Sequence, residues 1–433
     1  MPPNVAVVVL DSLRYDFFTD AFDWLPGRRF SQAYSTSHWT IPSHASLFTG
    51  HYASEVGVHS KSPSLDCQQP SLPELADENG YDTRCFSANG MISFWDGWDR
   101  GFDEFIEPSR LDPQYEHLVD WTAFGRHADT SGVMRVAEAV RYCFRSEYPT
   151  IPALRQGFRF FRQSSADGGT EAIINRTRAT DFGDREFLLI NLMETHTPYH
   201  PPDGSTPVSV VTGDGFAETV DDPLKIRAAY AASVEYLADA YRDLYARLDH
   251  GFEYVVTLAD HGETLGEHGM WNHGYGLYPE LTHVPLVVSG PGIEDGVHED
   301  PVSLLDVHRT VANLLGIETE SRGQNLLEDP TARDRLTEYH GFMPSNRNQF
   351  ERKGVRAELY ERRDTPLFGL VTSDDKYVYQ THGSDMQGAT EDADELRSRL
   401  DSLADSLDRR AVDTTDKEVG EDLLQQLEDL GYA

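Results

Sequence analysis

Three segments carry side chains whose types and spacing could do chemistry. In WTIPSHASLFTG, residues 39–50, Pro42 suits the first turn of a helix, where its missing N–H is harmless, and Ser43 to Phe48 continue that helix. Thr40 therefore falls at a helix N-terminus. Unpaired N–H groups and the positive end of the helix dipole favour an anion there, which suits a hydroxyl that attacks a phosphoryl or sulfuryl group. A threonine at this place could equally serve as a helix cap and nothing more. In LADHGETLGEHGMWNHGYG, residues 258–276, Asp260 and His261 directly follow an apolar run. A carboxylate and an imidazole in tandem are natural ligands for a divalent cation, and Asp11, at the end of the first apolar run, adds a further oxygen. METHTPYHPP supplies His196. Taken singly, His261, His268, His273 and His283 could be ordinary polar residues; it is their arrival at strand ends that marks them.

A metal held by Asp11, Asp260 and His261, with the Thr40 hydroxyl completing it, makes an activated nucleophile. Histidines would then protonate the leaving oxygen. That is a coherent ester-cleaving site.

The elements that must position these groups are legible as periodic runs. Val5–Leu10, Phe187–Leu192 and Tyr254–Leu258 read as buried parallel strands, each followed at once by acidic, histidine or small polar residues. Ligands of open parallel sheets sit at the carboxyl ends of strands, so the three imply one shared site. His283–Ser289 predicts a fourth strand, ending in Gly-Pro-Gly. Helical patterns at Ser43–Thr49, Ser71–Asn79, Asp222–Asp249 and Leu304–Leu315 alternate with the strands. The fold class is therefore α/β, a doubly wound, mostly parallel central sheet. Residues 1–340 form the catalytic domain, with a helical insertion at about 107–183. Residues 341–433 form a small C-terminal α+β subdomain with a strand pair near Leu367–Thr372 and Lys376–Gln380, then helix to residue 410 and a terminal amphipathic helix, EVGEDLLQQLEDLGYA.

The charge balance narrows the partners. Against 73 Asp and Glu the 433-residue chain sets 37 Lys and Arg, a net charge of −36, of which only five are lysine. Phosphate neutralisation needs basic patches that this composition barely supplies, so nucleic acid is excluded. Acid excess with few lysines predicts a halophilic archaeon, whose concentrated salt screens the self-repulsion. With 39% hydrophobic residues the chain can bury a large core, and three cysteines are too few for a disulfide framework. No run approaches the roughly 18 apolar residues of a membrane span, and no basic n-region precedes the first strand, which predicts a cytoplasmic protein. Within the insertion Arg135, Arg141, Arg145, Arg155, Arg159 and Arg162 alternate with aromatics. This is either an amphipathic lid or, over 141–162, a weak contact for an anionic substrate or membrane surface.

Taken in order, the motifs resemble the sulfatase-like branch of the alkaline phosphatase superfamily: VVVLDSLRYD, TIPSHASLFTG, GYDTRCFSAN, FLLINLMETHTPYHPP, TLADHGETLGEHGMW, VPLVVSGPG, SLLDVHRTVANLLGI with RGQNLL, and the closing LEDLGY. The resemblance implies Asp11, Asp260 and His261 as metal ligands and Thr40 at the nucleophile position. It puts His44 where the family has an arginine against the nucleophile, His196 at the oxyanion or leaving group, and Asn89 and His273 where the family binds substrate through lysines. It also implies one divalent ion, Mn²⁺, Mg²⁺, Ca²⁺ or Zn²⁺. Two departures matter most: Thr40 is neither the Cys nor the Ser that becomes formylglycine, and Ser12 replaces a second Asp. A threonine nucleophile resembles the superfamily's phosphodiesterases, phosphonate monoester hydrolases and phosphoglycerol transferases. The expected activity is hydrolysis of phosphate diesters or phosphonate monoesters of a small-molecule, glycan or lipid-headgroup alcohol. A formylglycine-independent sulfatase, a phosphotransferase and a metal-binding pseudoenzyme are the alternatives.

Overall fold

Val5–Leu10 is an unbroken β-branched and leucine run, and all six residues are buried, as a central strand with helices on both faces requires. The computed structural model describes residues 2–412 except 109–110, 112–118, 120, 122–123, 125–131, 147, 155–168, 201–206, 329, 384–385 and 389–391, and not the side chains of 132–137. In chain order the main sheet comprises β1 (Val5–Leu10), β2 (Arg28–Phe30), then β4 (Asp82–Ser87) and β5 (Glu104–Ile106), with the short β3 (Ala33–Tyr34) between β2 and β4 outside it. It continues through β6 (Glu186–Leu192), β7 (Tyr254–Leu258), β10 (Leu286–Ser289) and β11 (Gly296–His298). A hairpin of β8 (Thr264–Leu265) and β9 (Trp271–Asn272) lies between β7 and β10, and β12 (Val302–Ser303) pairs with β3. The eight strands run β11-β2-β10-β7-β1-β6-β4-β5.

β1 is parallel to both β6 and β7, with Leu10 opposite Leu192 and Val9 opposite Leu258. This register brings three carboxyl ends level, so residues just past them share one rim of the sheet. The mostly parallel α/β class is as expected, and β10 is the exception, pairing antiparallel with β7 and β2. The predicted strand from His283 is shortened to Leu286–Ser289 because Pro285 cannot donate to a ladder. His283 stands outside it, with its Nε2 2.8 Å from the Ser31 carbonyl.

The helices follow their caps. Ser71 caps Leu72–Glu78, Asp222 caps the 29-residue helix Pro223–Gly251, and Ser303 with Asp306 forms a capping box for Leu304–Leu314. The helix expected at Ser43–Thr49 starts earlier, at Thr40, with Trp39 at the cap position, so Thr40 is not the cap.

In the insertion, Val119, Trp121, Phe124, Cys143 and Ala153 form a small hydrophobic cluster of their own. Arg155, Arg159, Arg162 and the side chain of Arg135 lie outside the described residues, as does the terminal amphipathic helix. The strand pair expected near residues 367–380 is found as β14 (Leu367–Val371) and β15 (Tyr377–Tyr379), joined by β13 (Arg335–Tyr339), which leads into them. The helix Ala393–Asp405 packs Leu396 and Leu400 into a cluster with Leu336, Leu370 and Val378 that also takes in Tyr52 and Leu305. β13 is tied directly to the loop before Thr40: Glu338 N–H donates to the Thr36 carbonyl at 2.8 Å, and Ser37 Oγ donates to the Glu338 carbonyl at 2.6 Å. No helix among the described residues is long and apolar enough to cross a membrane.

Candidate active site

Asp11 follows β1 directly and Asp260 and His261 follow β7 by one residue, so the level strand ends deliver all three to one point. Each is fully buried, and their donor atoms lie within 4.8 Å of one another. Nε2 of His261 is 3.6 Å from Oδ1 of Asp11 and 3.5 Å from Oδ2 of Asp260. Its Nδ1–H donates to the Gly262 carbonyl at 2.8 Å. That bond fixes the tautomer and leaves the Nε2 lone pair facing both carboxylates, as a metal-ligating histidine requires.

The carboxylates are held from behind. Asn89 and Asn191 donate to Oδ2 of Asp11 at 2.7 and 3.3 Å, and Ser12 Oγ donates to its Oδ1 at 3.1 Å. Oδ1 of Asp260 accepts from the N–H groups of His261 and Ser12 at 3.0 and 3.4 Å, while its Oδ2 faces the imidazoles of His44 and His261 at 3.4 and 3.5 Å. Burial pushes both carboxyls up to about 7, and for Asp11 the charge of Asp260 adds to the effect. Two buried acids and an oriented imidazole, their donor atoms within 4.8 Å of one another, fit a divalent cation, whose ligands at about 2.0–2.6 Å stand no more than about 5 Å apart.

Thr40 lies in the first helical turn, with Oγ1 3.3 Å from Nε2 of His261 and accepting from Asn89 at 3.5 Å. One turn on, His44 donates Nδ1–H to the Thr40 carbonyl at 3.1 Å and lies 3.4 Å from Oδ2 of Asp260. It thus touches the main chain of Thr40 and the carboxylate of Asp260. Burial lowers its pKa to about 3, so it is neutral.

His196 and His273 join the cluster. His273 stands between His196 and His261, with ring centroids at 4.7 and 4.5 Å. His196 donates Nδ1–H to the Thr197 carbonyl at 2.5 Å. Burial, reinforced by neighbouring imidazoles, holds His196 and His273 well below the usual histidine range and therefore neutral. His268 and His283 are not brought in: His268 is partly exposed, stacked on Tyr278 and 3.2 Å from Glu280.

Three members of the site, Asn191, Glu263 and His38, carry no signal of their own in the sequence motifs, and a fourth, Ser12, stands where the family has a second Asp. Asn191 sits inside an apolar strand, where nothing distinguishes it. Glu263 is fully buried, accepts from Tyr199 O–H at 3.1 Å, and lies 3.3 Å from Nδ1 of His273; burial pushes its carboxyl up to about 8. Ser12 adopts φ 60°, a left-handed backbone uncommon for serine, which turns its N–H toward Asp260. His38 donates Nδ1–H to the His273 carbonyl at 3.1 Å. Its place two residues before Thr40 was the available signal.

With this geometry in view, the sulfatase family model matches residues 3–317, most of the chain. The chain belongs to the sulfatase family. Among curated members it is 24% identical over 368 residues to choline-sulfatase of Rhizobium meliloti, covering 73% of this chain and 68% of that protein. It is 25% identical to the low-salt glycan biosynthesis sulfotransferase of Haloferax volcanii, covering 73% of this chain and 63% of that one. Its fold matches phosphonate monoester hydrolase from Silicibacter pomeroyi with a TM-score of 0.63 at 17% identity, over 93% and 94% of the two chains. A 2-O GAG sulfatase matches at 0.59 and 16%, over 94% and 91%. This sulfatase-family chain is a sulfatase-like hydrolase with a candidate Asp-Asp-His metal cluster.

Proposed function

We propose that the chain is a metal-dependent hydrolase of phosphate diesters or phosphonate monoesters, with Thr40 as covalent nucleophile. The observation that carries this reading is Thr40 Oγ1, buried in the first turn of its helix and 3.3 Å from the Nε2 of His261 that faces Asp11 and Asp260. Threonine cannot become the formylglycine aldehyde, so the hydroxyl itself must react. Asp11, Asp260 and His261 would hold one divalent ion, which supplies the positive charge that favours an alkoxide and offsets the ester's anionic oxygens.

Thr40 Oγ forms a bond to phosphorus as the bond from phosphorus to the leaving oxygen breaks. The proton that Thr40 gives up passes through a neutral imidazole, His196 or His273, to the leaving alkoxide. Water then takes the phosphoryl group from Thr40 and restores the hydroxyl. Asn89 and His273 are uncharged where the family resemblance implies lysines, so two carboxylates and one divalent ion leave a site near neutrality. This supports a singly charged ester over a dianion.

The named sulfotransferase and sulfatase relatives favour a second reading, in which the same hydroxyl handles a sulfuryl group. Hydrolysis of bis-p-nitrophenyl phosphate with Mn²⁺, lost in Thr40→Ala, tests the first reading; faster turnover of p-nitrophenyl sulfate would transfer the assignment to the second. Transfer to added glycerol in excess of hydrolysis would make the enzyme a phosphotransferase, and absence of both activities a pseudoenzyme. The acid-rich surface and the Haloferax relative support a halophilic setting.

A further inference from the structure

Next to the histidine cluster is a cavity of about 20 Å³, bordered by His38, Trp39, Thr212, Asn272, His273 and Asn346. A water needs roughly 10–15 Å³ of such space, so the cavity holds one water-sized group. It adjoins the proposed chemistry on two sides. His38 and Trp39 immediately precede Thr40, and the ring of His273 packs against that of His261 at a 45° tilt.

His38 is 2% exposed, and its ring is packed 4.8 Å from that of Tyr339. Its Nδ1–H is committed to the His273 carbonyl, so in the neutral ring Nε2 carries the lone pair. That atom is buried and has no hydrogen-bond partner among the described residues. An unmet acceptor at this depth costs free energy unless a donor reaches it. The described cavity lining carries no Lys, Arg, Asp or Glu. It therefore offers nothing to a cationic headgroup, which calls for carboxylates or an aromatic cage, and nothing to a second anion.

We infer that this cavity seats one hydroxyl of the ester's alcohol half, donated to Nε2 of His38, so that the preferred substrates are esters of hydroxyl-bearing alcohols such as sugars or glycerol. The inference rests on the hydrolase reading above, because it takes Thr40 as the reacting centre. A site with an acceptor to satisfy discriminates against an alcohol that lacks the hydroxyl, since the acceptor is then left buried and unpaired.

The test compares kcat/KM for p-nitrophenyl phosphodiesters that differ only in the second alcohol: glyceryl, glucosyl, ethyl and choline. The hydroxylated pair is expected to exceed the ethyl and choline esters by about tenfold or more, the factor one hydrogen bond supplies. In His38→Phe, which keeps the ring volume without the acceptor, the ratio should fall to near one, and His38→Gln should recover part of it. A ratio taken within one preparation does not depend on the fraction folded, so a merely structural role for His38 would not move it. A ratio near one in the native enzyme, or one unchanged in His38→Phe, overturns the inference, since the cavity would then hold only water. If no phosphodiester reacts but sulfate esters do, the phosphodiester reading fails separately, and glyceryl against ethyl sulfate applies the same test to His38.

Discussion

Oε2 of Glu263 stands 3.3 Å from Nδ1 of His273, and this carboxyl, itself held by Tyr199, fixes the ring that lies between His196 and His261. A carboxyl behind an imidazole selects tautomer and orientation, and losing such a partner costs about 10- to 100-fold where it has been measured behind metal-bound histidines. Glu263→Gln should lower kcat by a factor of that order with a smaller change in KM. It should also alter the ¹⁵N shifts that report the His273 tautomer. Unchanged kcat and shifts would show that Glu263 is only packing.

Thr40→Ala should remove turnover by about a thousandfold or more, while Thr40→Ser, which keeps a hydroxyl, should retain a measurable part of it. Rapid quenching followed by peptide mass spectrometry should find the phosphoryl group on the peptide containing Thr40. A Thr40→Ala enzyme as fast as the native one would end the covalent mechanism.

Asp11 and Asp260 are raised from 3.8 to about 7 in the folded chain. Between those values the metal-free folded protein binds more protons than the unfolded chain, so its stability falls as pH rises through this window. A bound cation replaces the protons, which makes its affinity increase toward pH 7 and its binding release protons. Thermal unfolding with chelator should show a lower Tm at about pH 8 than at about pH 5, with added Mn²⁺ closing the gap. A chelated protein that is more stable at the higher pH would contradict the pairing of these two acids.

Asp306 accepts from Nε and Nη2 of Arg335 at 3.1 and 3.0 Å while capping the helix Leu304–Leu314, and both side chains are almost wholly buried. Removing Arg335 leaves the buried Asp306 with the partly exposed Arg333 at 3.3 Å and two backbone N–H donors, so the cost is expected at or below the lower end of the about 3–5 kcal/mol of a broken buried pair. Arg335→Met should therefore unfold at markedly lower denaturant, read by circular dichroism. A midpoint equal to that of the native chain would refute the assignment.

The charge of −36 predicts that activity and stability rise as salt goes from about 0.1 M to molar concentrations, because screening relieves self-repulsion. Assays with a chosen ester across that range check it. A steady decline would remove the halophile interpretation.

Asp11, Asp260 and His261 were legible because a parallel sheet gathers polar residues at its carboxyl edge, and the runs that end there are readable one by one. Asn191 was not, because register rather than local pattern turns it toward Asp11 and His44. Glu263 was hidden by the path of its loop, which brings it back beneath His273. The helix bearing Thr40 begins three residues before the expected Ser43, since Pro42 tolerates the first turn without marking its first residue. His283 lies outside the strand its apolar run predicts, because Pro285 cannot extend the ladder.

The bonds from Thr36 and Ser37 to Glu338 bear on how such enzymes can be recombined. β13 belongs to the C-terminal sheet by its pairing with β14, yet it braces the loop that leads to Thr40. A hybrid that exchanges the C-terminal segment from Arg335 onward would swap that brace along with the sheet, and the loop before Thr40 would lose its partner. A seam that leaves β13 with the N-terminal part lies after Tyr339 and keeps both bonds.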